Sequence, residues 1–241
     1  MMKTICLLLM SLTTLIGCSK KDMTTQEQFT PITTTPAPLK GPYTYLALGD
    51  SYTIGESVDA KDSFPYQLTG QMASKGYNIT APKIIAVTGW TTGDLKNAIA
   101  QANLTSKYDI VTLLIGVNNQ YRGYSQTDYR TEFVQLLNTA IGFANGNKLK
   151  VFVLSIPDYS VTPFAATSNK TKIAAEIDQF NAINKDESTK AGVNYLDITP
   201  ISRQAATDAT LIAFDGLHPS AKMYSLWVGQ LALQVSAQLA K

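Results

Sequence analysis

The chain has 241 residues, 45% of them hydrophobic, with two cysteines, one histidine and a formal net charge of +2. That length makes one domain with appendages, and 20 basic against 18 acidic residues exclude an electrostatic case for a nucleic-acid partner. Two cysteines and one histidine cannot build a four-ligand zinc finger, and histidine chemistry falls to His218 alone.

Residues 1–17 read as an export signal. Lys3 precedes a run from Ile5 to Ile16 in which only Ser and Thr are polar, too short for a bilayer core that needs ~20 apolar residues. Leu15-Ile16-Gly17-Cys18 resembles the lipobox of bacterial lipoproteins. That resemblance implies a diacylated Cys18 at the mature N-terminus and a protein anchored to the cell envelope; an ordinary signal with an incidental cysteine is the alternative. Cys6 leaves with the signal, so no disulfide is expected. Residues 18–41 are rich in Thr, Lys and Gln, with Pro31, Pro36 and Pro38, and read as a solvated tether. Residues 42–241 form the globular domain, long enough to bury ~70% of its unfolded surface.

Short apolar runs then alternate with helix-period segments, the pattern of βαβ units and a mostly parallel sheet. Strands are predicted at 43–48, 83–87, 110–115, 151–156 and 193–198, several of them apolar at consecutive positions, as strands covered on both faces should be. Helices are predicted near 64–76, 92–103, 126–145 and 170–190. A last helix is expected to open at Pro219 and to carry Tyr224, Trp227, Val228, Leu231, Val235 and Leu239 on one stripe. The fold class is α/β, an open three-layer α/β/α sandwich around five strands, whose ligand site belongs at the carboxyl ends of the strands.

Four segments with chemical potential stand at those ends. Gly49-Asp50-Ser51-Tyr52 follows the first strand and offers Ser51 on a tight turn, its bland alternative being an ordinary turn. After the second strand comes Gly89, a backbone donor or merely a hinge. Gly116-Val117-Asn118-Asn119 follows the third, with side-chain amides that could also be turn residues. Finally Asp215 stands three residues before His218. A carboxylate there can fix one ring nitrogen and leave the other to take a serine proton, although a lone histidine is more often a surface or capping residue.

Together and in this order, the four segments resemble the blocks of the SGNH (GDSL-type) hydrolase family, across about residues 43–230. The resemblance implies a flavodoxin-like sandwich and a serine ester hydrolase with Ser51 as nucleophile, His218 as general base and acid, and Asp215 orienting it. It also implies an oxyanion hole from the Ser51 and Gly89 backbone N–H groups and the Asn118 amide. Two positions depart from the family pattern: Tyr52 stands where leucine is usual, and Asn119 where aspartate is usual. Tyr52, Trp90, Tyr121 and Arg122 are candidate substrate contacts, Arg122 for an anionic group, with simple packing or a surface ion pair as the bland alternative for each, and Asp158 reads better as a cap or turn residue. The expected activity is hydrolysis of small-molecule or exposed acyl esters by a monomer, and it is expected to need no metal or cofactor. Alternatives are a carbohydrate O-acetylesterase or, in another class, a non-catalytic surface-attached binding lipoprotein on the same scaffold.

Overall fold

The computed structural model of the protein describes residues 38–241. The expected signal, Cys6, Cys18 and most of the tether lie outside the described residues. The strands are β1 (Lys40–Tyr43), β2 (Tyr45–Gly49), β3 (Tyr77–Ile79), β4 (Lys83–Ala86), β5 (Ile110–Leu114), β6 (Val151–Leu154) and β7 (Asn194–Leu196). The helices are α1 (Ser51–Ile54), α2 (Phe64–Ser74), α3 (Thr92–Ala102), α4 (Val117–Tyr121), α5 (Gln126–Phe143), α6 (Lys170–Ala191), α7 (Thr199–Arg203) and α8 (Ala221–Leu239).

Five strands pair all-parallel in the order β4-β2-β5-β6-β7, so the winding reverses between β2 and β5. Every residue of β2, β5 and β6 is buried, because helices cover both faces: α2 packs on α8, and α5 on α3 and α6. Gly49 lies level with Ala86 on one side and Leu114 on the other, which brings the segments after β2, β4 and β5 to one edge at the switch point. The stripe expected on the last helix is core: Tyr224, Trp227, Val228, Leu231 and Val235 are buried, each side chain stabilising the fold by about 1.5–3 kcal/mol.

Strand β3 is unexpected, several strands end one or two residues early, and the first strand and the last helix differ from expectation for identifiable reasons. The first strand splits at Thr44, whose backbone N–H and hydroxyl both donate to the Asp109 carboxylate; the part before the break, β1, begins at Lys40, two residues inside the expected tether, and pairs with β3. The last helix starts at Ala221 rather than Pro219, because Ser220 caps it by accepting from Met223 N–H. Pro219 is held instead in an antiparallel bridge to Ile212, flanked by Ala213 N–H donating to His218 O and Ser220 N–H to Leu211 O. The short helices α1, α4 and α7 lack an amphipathic period long enough to read.

Candidate active site

Ser51 is the first residue of α1, directly beyond β2. Asp50 caps that helix, its Oδ1 accepting from Tyr52 N–H at 3.0 Å, and the turn leaves Ser51 4% exposed at the sheet edge. The other Asp50 oxygen has no hydrogen-bond partner. Burial raises this carboxyl to about 7, against smaller lowering by the backbone N–H of Tyr52 and of Asp50 itself. An acid whose folded pKa is raised favours folding fully below its unfolded value near 3.8 and loses that contribution as pH rises toward about 7. Asp50→Asn keeps the capping oxygen and removes the titration. It should therefore flatten the pH dependence and be more stable than the parent above neutrality, by up to ~4 kcal/mol. Urea midpoints at acid and alkaline pH read this directly; a variant as pH-sensitive as the parent would sink it.

Asp215 and His218 occupy a closed turn. Asp215 Oδ1 accepts from the Leu217 and His218 backbone N–H groups at 2.9 and 3.0 Å, the local habit of aspartate in turns. That leaves Oδ2 to accept from His218 Nδ1 at 2.5 Å, so Nε2 is the free nitrogen. Burial alone would raise the Asp215 carboxyl, but donation from His218, the two amides and Ser57 outweighs it and holds the carboxyl at about 2. Asp215 is therefore a carboxylate across the working pH range. The turn is pinned from outside by Phe164 N–H donating to Gly216 O at 2.9 Å.

Gly89 has φ +83, and a Cβ built on it would meet only Arg122 Nη2, at 3.7 Å. Its requirement is thus conformational rather than steric. Among the described residues, neither Ser51 N–H nor Gly89 N–H donates to another protein group. Asn118 donates through Nδ2 to Trp90 O at 3.0 Å, which occupies one of its two amide hydrogens and ties α4 to the Gly89 loop. Asn119 is fully buried: its Oδ1 accepts from Thr92 N–H at 3.0 Å and its Nδ2 donates to Thr92 Oγ1 at 2.7 Å. The Thr92 hydroxyl in turn donates to Glu132. An amide at position 119 therefore supports the loop fully, by a donor and acceptor pair in place of the family's carboxylate.

Ser51, Gly89, Asn118 and His218 line one cavity of about 170 Å³. Its remaining wall is chiefly apolar or aromatic, including Tyr52, Tyr121, Tyr159, Phe164 and Leu217. Tyr52 is 3% exposed and packs edge-on against the His218 ring, centroids 5.6 Å apart, so it both walls the site and steadies the imidazole. Trp90 and Arg122, candidates for substrate contact, lie outside the cavity lining and take the packing and ion-pair alternatives instead. Trp90 packs against the core, and the Arg122 guanidinium donates to Gly89 O at 2.6 Å and faces Asp94, so it braces the glycine loop from behind. Asp158 caps the turn after β6, accepting from Ser160 N–H and pairing with Arg203, as its sequence position suggested. That turn carries Tyr159 and Phe164 to the cavity. Neither was legible beforehand; their only signal is that aromatics follow a strand end.

A sequence model of the GDSL-like lipase/acylhydrolase family matches residues 47–226. Among solved structures, the chain is similar to the lipase/acylhydrolase from Enterococcus faecalis, with 19% identity and a TM-score of 0.64 over 81% of this chain and 96% of that one. It is also similar to the acetylxylan esterase Axe2 from Geobacillus stearothermophilus, with 17% identity and a TM-score of 0.61 over 80% of this chain and 94% of that one. The psychrotrophic esterase EstA from Pseudoalteromonas sp. is a third, with 16% identity and a TM-score of 0.60 over 83% of this chain and all of that one. No curated protein matches it in sequence. These structural likenesses share the fold, and the family match spans every segment of the site, from Gly49 to His218; the chain belongs to the GDSL-like lipase/acylhydrolase family and is a carboxylic ester hydrolase.

Proposed function

We propose that the protein hydrolyses small acyl esters through an acyl-enzyme on Ser51. One observation carries the reading: Ser51, Gly89 and Asn118 share one cavity with a histidine whose Nδ1 is held by a carboxylate. His218 Nε2 takes the hydroxyl proton as Ser51 Oγ attacks the ester carbon, and Asp215 stabilises the imidazolium that forms. The carbonyl oxygen becomes an oxyanion, met by the Ser51 and Gly89 N–H groups and the second Asn118 amide hydrogen. The imidazolium then gives its proton to the departing alcohol oxygen as the tetrahedral adduct collapses. Water repeats the cycle on the acyl-enzyme and releases the acid.

A cavity of about 170 Å³ is close in size to the ~150 Å³ that takes up a benzene, which suits a short acyl group better than a fatty chain. Among the described residues no Asp, Glu, Lys or Arg lines it, and His218 is its one basic side chain, which favours an uncharged acyl group. A second reading, deacetylation of a carbohydrate, is favoured by the exposed Tyr121 and Phe164, whose rings stand 6.2 Å apart at the cavity and offer flat faces to a sugar ring.

A fluorophosphonate probe is expected to label Ser51 in the folded protein. Turnover of p-nitrophenyl esters should be fastest for acetate to butyrate and fall steeply by octanoate, with acetylated oligosaccharides run beside them. Absence of both label and turnover would leave the scaffold as a binding protein and end the esterase reading.

A further inference from the structure

We propose that Ser57 is a positioning residue for Asp215, and that the turn carrying it locks the His218 loop to the helix that bears Ser51. The proposal rests on the triad reading above. Asp215 accepts four hydrogen bonds. Three come from its own turn: the Leu217 N–H, the His218 N–H and the His218 ring. The fourth comes from Ser57 Oγ, at 2.8 Å, on the same Oδ2 that receives the ring proton. Among the described residues it is the one donor to this carboxylate from outside the turn. Other bonds hold the turn to the body of the protein, Phe164 N–H to Gly216 O among them, but without Ser57 the carboxylate itself loses its one side-chain tie to the segment that follows Ser51.

The Ser57 backbone supports a built role rather than a chance contact. Its φ is 67, a left-handed conformation uncommon in a serine and costly unless the surroundings enforce it. They do so here. Gly55 has φ 80, and a Cβ on it would come within 2.5 Å of Ser63 Cβ, so the chain can turn at that point only with glycine. Glu56 N–H and Gly55 N–H both donate to Ser51 O, each at 3.1 Å, and Val58 N–H donates to Gly55 O. The turn is thus tied directly to the residue that attacks.

The neighbouring side chain reaches the opposite way. Glu56 accepts from the Thr88 hydroxyl, one residue before Gly89. Two consecutive residues therefore connect the Ser51 helix to the oxyanion loop and to the histidine loop. The bond from Ser57 adds to the three of the turn a restraint on the Asp215 carboxylate from the Ser51 side, and through it on the imidazole that shares the cavity with Ser51. Small misplacements of such groups are expensive in rate.

The test uses Ser57→Gly, which suits the left-handed backbone and lacks only the hydroxymethyl group, and Ser57→Ala, which keeps Cβ. Both are expected to unfold near the parent's midpoint, to lose about tenfold in kcat and to keep KM within about twofold. In an Asp215→Ala background the same changes should cost little more, because the group they act through is gone. A parent-like kcat for Ser57→Gly beside a crippled Asp215→Ala would overturn the role of Ser57 alone. Full addition of the two losses would overturn it too, since Ser57 would then act by another route. A parent-like kcat for Asp215→Ala would overturn the triad and Ser57's role with it.

Discussion

His218→Asn is expected to lower kcat for p-nitrophenyl acetate on the order of 10⁶-fold, to the level of Ser51→Ala. The magnitude follows from what the substitution removes. A serine hydroxyl is a poor nucleophile at its own pKa, and the chain contains no other histidine to take the proton. The two changes should also fail to add, because a nucleophile without its base and a base without its nucleophile are equally idle. The fold should survive. His218 holds its turn through its backbone, with Ala213 N–H donating to its carbonyl at 2.8 Å and its own N–H donating to Asp215, and asparagine keeps both groups while its amide can still donate to Oδ2. Fluorophosphonate labelling should slow in step with turnover. A variant that retains activity within tenfold of the parent would remove His218, and with it Asp215, from the mechanism.

Why so much of this site could be read from the chain, and where reading stopped, is a matter of the range over which the physics acts. The parallel strands were legible because a strand covered on both faces must be apolar at successive positions: β5, Ile-Val-Thr-Leu-Leu, and β6, Val-Phe-Val-Leu, are buried throughout. The helices α5 and α6 were legible from stripes such as Tyr129, Phe133, Leu136 and Leu137. Motif segments then fell at strand ends, where this topology puts ligands. What stayed hidden depends on partners remote in sequence. Thr44 breaks the first strand because its polar groups meet Asp109, 65 residues on. Pro219 is held out of α8 by Ile212. Ser57 owes its importance to Asp215, 158 residues away, and nothing in its own neighbourhood signals it.

Arg122 and Trp90 illustrate a related limit. Standing near a motif in sequence puts a residue near the site but does not set the direction of its side chain. Arg122 follows the α4 turn round to the back of the Gly89 loop, where the exposed carbonyl of Gly89 and the Asp94 carboxylate claim its guanidinium. Asn119 shows the reverse. It departs from the family's aspartate, yet an amide can serve Thr92 as acceptor and donor at once, and Glu132 accepts the hydroxyl hydrogen bond that an aspartate could have accepted.

That support gives Asn118→Ala its expected signature: a loss of ~10² to 10³ in kcat with KM nearly unchanged. In the proposed mechanism the second amide hydrogen of Asn118 acts on charge that develops on the ester oxygen as Ser51 attacks, so its absence should be felt in the transition state and little in the ground state. The neighbouring donors, Ser51 N–H and Gly89 N–H, belong to the backbone and remain in place, which is why the loss stays well short of that for His218. Structure should hold as well. Asn119 continues to clip α4 to Thr92, Arg122 continues to hold Gly89, and the one bond forfeited, to Trp90 O, leaves a carbonyl at a partly exposed loop. The Asn118→Asp variant sharpens the test, since it keeps the size of the side chain but puts a negative oxygen where a donor was, and it should turn over no faster than alanine. If Asn118→Ala raised KM in proportion to its loss in kcat/KM while kcat stood unchanged, the residue would be a substrate-binding contact and the oxyanion hole would have to be built without it.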